Sequence, residues 1–343
     1  MNGPRTIERL TTPALLLDAS MFDSNIRAMS EHLPDDRLRP HVKAHKCSEI
    51  ARMQQVEGRH DRFTCATVRE VEVLAAQGIG TDLLLANEVV GEAASRLGRI
   101  SDAHGVRVTA AVDSEATVYA AADGGVRDVL VDVNVGLPRC GCDPEDAGRI
   151  ADLARSNGLN VRGVMGYEGH VVGLPEREER VAKVAEAMEL LVRAAELVGA
   201  DEGIVSAGGT GTYDINPWAT EIQAGSYVLM DTHYDKLNLP FGHALFVLAT
   251  VISVAPNGKY AVADCGLKAL GMDHGNPTIK GARVWFCSDE HVTFAPAEPV
   301  RVGDRLRVLP AHIDPTMAYH SEVHVITHTD QIIETWPIDM RGW

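Results

Sequence analysis

The chain has 343 residues, 45% of them apolar and 23% charged, which is the mix of a soluble globular protein and enough length for about two domains. Its formal net charge of −16 argues against nucleic acid and anionic membrane as partners, although a local pocket of backbone amides and placed cations could still take an anion. No apolar run approaches the roughly 20 residues of a membrane span, and residues 1–10 lack the apolar core of a secretory signal, so a cytoplasmic protein is expected.

In chain order, residues 13–18 read as a strand that precedes the first helix. Eight short apolar or β-branched runs follow, at 38–43, 63–67, 82–86, 106–112, 129–135, 161–166, 203–206 and 221–227. Between them, 48–57, 68–77, 89–101, 114–122, 144–156 and 176–198 carry helical apolar spacing. Pro144 fits a first-turn proline behind an Asp143 cap. Eight strand–helix units predict a parallel sheet closed into a (β/α)8 barrel, with an open doubly wound sheet as the competitor.

Beyond residue 240 the texture changes. The runs 245–254, 260–265, 282–287, 305–309 and 320–326 are strand-like, Gly, Pro and Asp turns separate them, and no convincing helix appears. The fold class is therefore α/β, a barrel over 19–238 with an all-β domain made of 1–18 and 239–343. Residues 13–18 are placed to pair with the C-terminal strands. Cys47, Cys65, Cys140, Cys142, Cys265 and Cys287 form no Cys-x-x-Cys pair and are expected to be reduced, mostly buried thiols.

Three constellations carry chemistry. The run Arg-Pro-His-Val-Lys-Ala-His-Lys ends the first barrel strand, where barrels keep catalytic groups. Lys43 would point into the mouth, where burial and neighbouring cations lower its pKa and free the amine to attack an aldehyde. Lys46 is the rival, expected on the first turn of the next helix and facing outward. His41 alternates with Lys43 on an extended chain and should share its pocket, while His45 is ambiguous. Second, the Gly-rich stretch Gly208, Gly209, Thr210, Gly211 and Thr212 follows strand seven, and Gly225, Ser226 and Tyr227 close strand eight. Barrels commonly hold a phosphate in these two loops. No strand-linked Gly-x-Gly-x-x-Gly opens the chain, which argues against a nicotinamide dinucleotide. Third, His312 and Asp314, read as extended chain, present an imidazole and a carboxylate on one side. That pair suits a divalent ion in an open site, whereas a plain hydrogen-bonded loop pair is the common alternative. Arg139, Tyr167, Glu168 and His170 sit at strand C-termini, and Asp289, Glu290 and His291 form an acidic-imidazole cluster in the β-domain.

Together the Arg-Pro-His-Val-Lys run, the Gly-Gly-Thr-Gly loop, the Cys-Ser-Asp-Glu-His stretch and the Pro-x-His-x-Asp-Pro-Thr segment resemble the D-threonine aldolase and D-serine dehydratase family, of the alanine-racemase-like fold type of pyridoxal-phosphate enzymes. The resemblance spans nearly the whole chain, with its motifs in the expected order. It implies a barrel plus β-domain, paired as a homodimer. It makes Lys43 the lysine that holds pyridoxal phosphate as an imine, and it places Gly208, Gly209, Thr210, Gly225, Ser226 and Tyr227 at the cofactor. It sets Arg139 or Tyr167 near the pyridine ring, and makes His312 and Asp314 metal ligands. His41, His170 and Asp289 are the candidate acid–base groups.

The dehydratase branch resembles His-x-Cys and the aldolase branch His-x-Asp, a harder pair suited to Mn²⁺ or Mg²⁺, with Zn²⁺ or Co²⁺ as alternatives. The expected activity is therefore cleavage of a small D-3-hydroxy amino acid to glycine and an aldehyde. Cleavage of 3-hydroxy-D-aspartate, or dehydration of D-serine or 3-hydroxy-D-aspartate, are the alternatives. An amino-acid racemase, a non-catalytic pyridoxal-phosphate carrier and a cofactor-free barrel enzyme acting on a sugar phosphate are the rivals of another class.

Overall fold

A computed structural model describes residues 6–343, so the first five residues of the 1–18 segment lie outside the described residues. In chain order the elements are β1 (Ala14–Asp18), α1 (Ala19–His32), α2 (Ser48–Val56), β2 (Arg62–Cys65), α3 (Val68–Ala76), β3 (Asp82–Leu85), α4 (Glu92–His104) and β4 (Arg107–Val112). Next come α5 (Glu115–Asp123), β5 (Asp128–Asp132), α6 (Ala147–Ser156), β6 (Asn160–Met165), α7 (Arg177–Val198), β7 (Ile204–Ala207) and β8 (Glu221–Ile222). The chain then turns to β9 (Leu245–Val254), β10 (Ala261–Ala263), β11 (Thr278–Ile279), β12 (Ala282–Cys287), β13 (Val292–Pro296) and β14 (Arg305–Leu309). It ends with α8 (Ile313–Tyr319), β15 (Glu322–Ile326) and β16 (Ile332–Pro337). No helix among the described residues is long and apolar enough to cross a membrane.

Two compact units emerge. One is Met29–Lys43, Ile50–Gly225 and Met340–Trp343; the other is Met1–Ala28, Ala44–Glu49 and Ser226–Asp339. The sequence drew its boundaries at 18/19 and 238/239, whereas residues 19–28, Ala44–Glu49 and 226–238 pack with the β-rich unit. Their side chains find their partners there: Ser48 donates to Asp339 (2.7 Å), and Asn25 donates to the Val228 and Gly242 carbonyls.

In the α/β unit, β2 to β8 form one parallel sheet in chain order. The eighth stave is residues 38–41. Leu38 pairs with Ile222 at one edge of the sheet and His41 with Thr64 at the other, so the sheet closes on itself into a barrel. Arg39 and His41 donate their N–H groups to the Ile222 and Ala224 carbonyls, and the Pro40 carbonyl accepts from Thr64. Pro40 has no N–H to give, which reduces this stave to isolated bridges. The helices start where the sequence signals them. Thr67 accepts from Glu70 to cap α3, Ser114 and Thr117 form a reciprocal capping box at α5, and Asp143 caps the turn that begins with Pro144.

The barrel interior is layered. Leu84, Ala111, Leu130, Met165 and Ile204 from five successive strands pack into one apolar cluster. Asp82 and Thr109, two residues earlier on the same faces, belong to a polar belt. Arg162 reaches both Asp82 oxygens (3.0 and 2.6 Å) and Thr109 (2.5 Å), while Arg39 bonds Glu221 (2.8 Å) and Asp82 (3.3 Å). Arg39 and Arg162 are only 1% and 2% exposed, so each cation depends on its carboxylate partners.

In the β-rich unit, one mixed sheet runs β12-β13-β10-β9-β1-β15-β16, with β14 joining β9 to β11. As the sequence anticipates for residues 13–18, β1 pairs antiparallel with β9 and parallel with β15. Ile7, Ala14, Leu16, Leu248 and Ile326 build the core behind it. One expectation fails here: this part of the chain does contain a helix, α8. Its Pro315 reads as a turn residue, but it occupies the first helical turn, where a missing N–H leaves no bond unmade. All six cysteines are free, as expected.

Candidate active site and metal cluster

Lys43 lies in a single 3-10 turn, Val42–Ala44, directly beyond the last ladder residue His41. The side chain is half-buried at the C-terminal end of the first stave. Because the chain has already left the extended conformation, strict alternation of His41 and Lys43 on one strand face does not apply. The Lys43 N–H instead folds back toward His41 Nδ1 at 3.5 Å. Lys46 is also not on the following helix. It occupies a left-handed turn (φ 49°) ahead of α2 and packs with the β-rich unit. His45 is fully buried in that same segment, its Nδ1 accepting the Cys47 N–H at 3.2 Å.

The Gly-rich loop after β7 is shaped from behind by Glu168. This wholly buried carboxylate accepts the Gly208 N–H (3.1 Å), the Thr212 hydroxyl (2.8 Å) and the Asn216 amide (3.5 Å). Burial pushes the Glu168 carboxyl up, and these donors oppose the shift. The Gly209 N–H is bonded to Thr212 Oγ1 at 3.1 Å. The Gly208 and Gly209 amides therefore stiffen the loop itself. Gly208 has φ +81°, and a Cβ there would press on Ile222 at 3.0 Å, so glycine is the residue that fits. Gly225 ends the stretch of chain that closes the barrel, whereas Ser226 and Tyr227 are buried in a 3-10 turn of the β-rich unit.

Arg139 lies over the Tyr167 ring, 5.3 Å from its centroid, at the C-terminal ends of neighbouring strands β5 and β6. His170 packs against Gly136, where an added Cβ would come within 2.8 Å of the imidazole. Asp132, the last residue of β5, and Glu88, just beyond β3, add two carboxyls to this rim. Burial, then the adjacent Glu88 carboxylate, pushes the Asp132 carboxyl well up. Both were missed in the sequence, although an acid at the end of a barrel strand is itself a signal.

The metal candidates are assembled from three segments of the β-rich unit. His312 caps α8 in an extended conformation, while Asp314 is already in the helix's first turn, where the helix dipole favours a carboxylate. The expected i, i+2 alternation is thus replaced by a cap-to-first-turn geometry. It still leaves His312 Nε2 3.8 Å from Asp314 Oδ2. The Thr316 hydroxyl bonds the His312 carbonyl (2.6 Å) and accepts the Gly271 N–H (2.8 Å), which draws the 271–274 loop against the turn. Asp273 Oδ2 thereby meets His312 Nδ1 at 2.7 Å. His274 stacks on His312 with centroids 4.0 Å apart and an interplanar angle of 14°, and His233 lies 4.1 Å beyond. Burial and the neighbouring imidazoles push His233 down to about 4. One ligand atom each from Asp273, His274 and His312 fits within 4.8 Å. Asp231, 1% exposed, accepts the Ile313 N–H at 3.0 Å, and burial pushes it up to about 7. Sequence spacing could not find Asp231, His233, Asp273 or His274, because they come from segments remote from the His-x-Asp motif. Asp289 stands apart, 72% exposed on the hairpin turn between β12 and β13, with Lys268 as its ion-pair partner.

Comparison with known proteins agrees with this architecture. The family model for the alanine racemase N-terminal domain matches residues 17–233, and one for a serine dehydratase domain matches residues 244–326. A D-threonine aldolase from Arthrobacter sp. is 36% identical over 98% of this chain and 94% of its own length. A 3-hydroxy-D-aspartate aldolase from Paracoccus denitrificans is 32% identical over 97% of this chain and 92% of its own length. The crystal structure of D-threonine aldolase from Filomicrobium marinum superposes with a TM-score of 0.92 at 31% identity, covering 100% of this chain and 99% of that one. The closed parallel barrel, the separate mixed sheet and these full-length likenesses lead to one assignment: the chain belongs to the D-threonine aldolase family, lyases built on the alanine-racemase-like fold.

Proposed function

We propose that the chain is a pyridoxal-phosphate- and divalent-metal-dependent lyase that cleaves D-3-hydroxy amino acids, D-threonine among them, to glycine and an aldehyde. The observation that carries this reading is the position of Lys43, one turn beyond the last ladder residue of the barrel's first stave. Strand C-termini are where barrel enzymes keep their reactive groups.

The residues fit both groups. A half-buried amine, a braced Gly-rich loop after β7, and a cation stacked on an aromatic ring suit an aromatic aldehyde carrying a phosphate. His312 Nε2 and Asp314 Oδ2 form an N,O pair that suits Mn²⁺ or Mg²⁺, with Zn²⁺ or Co²⁺ as alternatives. When bound, the cofactor ring supplies a sink for the electron pair left at Cα, and the ion lowers the pKa of an oxygen it holds.

The protein's own part is positional. Lys43 anchors the aldehyde, the loop after β7 receives the phosphate, and Arg139 with Tyr167 fixes the ring. Cleavage breaks Cα–Cβ, removes the β-hydroxyl proton and returns a proton to Cα. His41 and His170 are the candidate carriers of these protons. The substrate is a small molecule, and a homodimer is the expected assembly. The same groups could instead expel the β-hydroxyl, which would make the enzyme a dehydratase.

Incubation with D-threonine should give glycine and acetaldehyde; ammonia with 2-oxobutanoate would identify the dehydratase. Lys43→Ala should abolish the visible absorbance of the lysine-bound cofactor. Loss in Lys46→Ala with retention in Lys43→Ala would overturn the assignment. Chelator should silence activity and Mn²⁺ restore it, and indifference to chelator would remove the metal role.

A further inference from the structure

Asp231 is not part of the His-x-Asp motif, yet it touches the motif's centre. Its Oδ2 accepts the N–H of Ile313, the residue between His312 and Asp314. Its Oδ1 is buried and meets no hydrogen-bond donor. A carboxylate that is 1% exposed with one oxygen uncompensated is costly unless a cation or a further donor lies close by. Among the described residues, the ligand atoms of Asp231, His312 and Asp314 do not form one set within 4.8 Å. Direct coordination by all three is therefore not the geometry.

We propose that Asp231 is a positioning carboxylate of the metal site, pinning the His312–Asp314 turn through Oδ2 and accepting a hydrogen bond from the ion's hydration shell through Oδ1. This rests on the divalent-metal reading of that motif. Outer-shell partners of this kind hold ligands in register and add charge opposite the cation, and their loss commonly weakens metal binding about 10–100-fold. Asp273 instead bonds the His312 ring itself, at Nδ1, whereas Asp231 bonds the backbone of Ile313, so the two acids are not redundant.

Asp231→Asn separates the two halves of the proposal. The asparagine oxygen still accepts from Ile313, while the charge and the second acceptor disappear. Titration of the pyridoxal-phosphate-loaded enzyme with Mn²⁺ alone, read by electron paramagnetic resonance of the free ion, gives the dissociation constant. The variant should bind Mn²⁺ at least about tenfold more weakly than wild type. Its cofactor absorbance should be unchanged, and its melting temperature in chelator no lower. Binding within twofold of wild type would overturn the proposal and leave Asp231 a purely structural anchor. If Asp231→Asn does not fold, Asp231→Glu, which keeps the charge but displaces the oxygens, takes its place, and unchanged affinity there overturns it equally. If the wild-type enzyme binds no Mn²⁺, the metal reading and this proposal fall together; if wild type binds and the variant matches it, Asp231 alone is refuted.

Discussion

Replacing Asp82 by asparagine should unlock the barrel. Asp82 sits between two buried guanidinium groups, with Arg162 at 2.6 and 3.0 Å and Arg39 at 3.3 Å. Although burial would raise it, these cations hold the Asp82 carboxyl down at about 2, against an ordinary value of 3.8. At about 1.4 kcal/mol per pH unit, that displacement corresponds to about 2–3 kcal/mol of stabilisation by the ionised form. Asparagine forfeits this and leaves Arg39 and Arg162 with less counter-charge, so the loss should reach about 3–5 kcal/mol, the range for breaking a buried pair. An exposed pair such as Arg127–Asp102 should give at most about 1 kcal/mol when Asp102 is neutralised.

Urea unfolding followed by far-ultraviolet circular dichroism measures both variants on one scale. The pH dependence has a definite sign. Because the folded-state value is lowered, the contribution is fully present above about pH 4 and is lost as the pH falls toward 2. The gap between wild type and Asp82→Asn should therefore be constant from pH 7 to pH 5 and smaller by about 1 kcal/mol at pH 3. An Asp82→Asn midpoint equal to that of wild type at pH 7, or a gap that widens on acidification, would refute the argument that this belt holds the barrel.

Asp132 should behave in the opposite sense. Its raised carboxyl means the folded barrel retains a proton that the unfolded chain releases, so folding is penalised as the pH rises above the usual carboxylate range. Asp132→Asn should melt higher than wild type at pH 9 and close to it at pH 4, as differential scanning fluorimetry would read. Glu168→Ala strips an acceptor from Gly208, Thr212 and Asn216 and should weaken pyridoxal-phosphate binding severalfold, measured by fluorescence titration, with Glu168→Gln intermediate. In Gly98→Ala the new methyl would lie 2.1 Å from the Gly124 carbonyl oxygen, forcing α4 from the start of the 124–125 turn. The expected loss is about 1–3 kcal/mol in urea unfolding, and an unchanged midpoint would show that the contact yields freely.

The sequence alone carried the periodicities and the punctuation. Eight apolar runs with helical stretches between them pointed to a parallel sheet, a closed barrel ahead of an open doubly wound sheet, and the shift to β-branched runs after residue 240 pointed to a second, sheet-based unit. These are local signals, set by which faces must be buried. Lys43, the Gly-rich loop and the His-x-Asp pair could be named as candidates from the sequence, because each lies within a few consecutive residues. What depended on tertiary structure was the conformation those residues adopt and the company they keep. Residues 38–41 close the barrel through isolated bridges and lead into a turn at Lys43, and Pro315 lies in the first turn of a helix where extended chain was expected around the His-x-Asp pair. Glu168 behind the glycines, Asp132 beside Glu88, Asp231 on the Ile313 N–H and Asp273 on His312 are contacts between residues about 40 to 80 positions apart. Charge compensation of this kind is a property of distance in space, and no pattern along the chain encodes it.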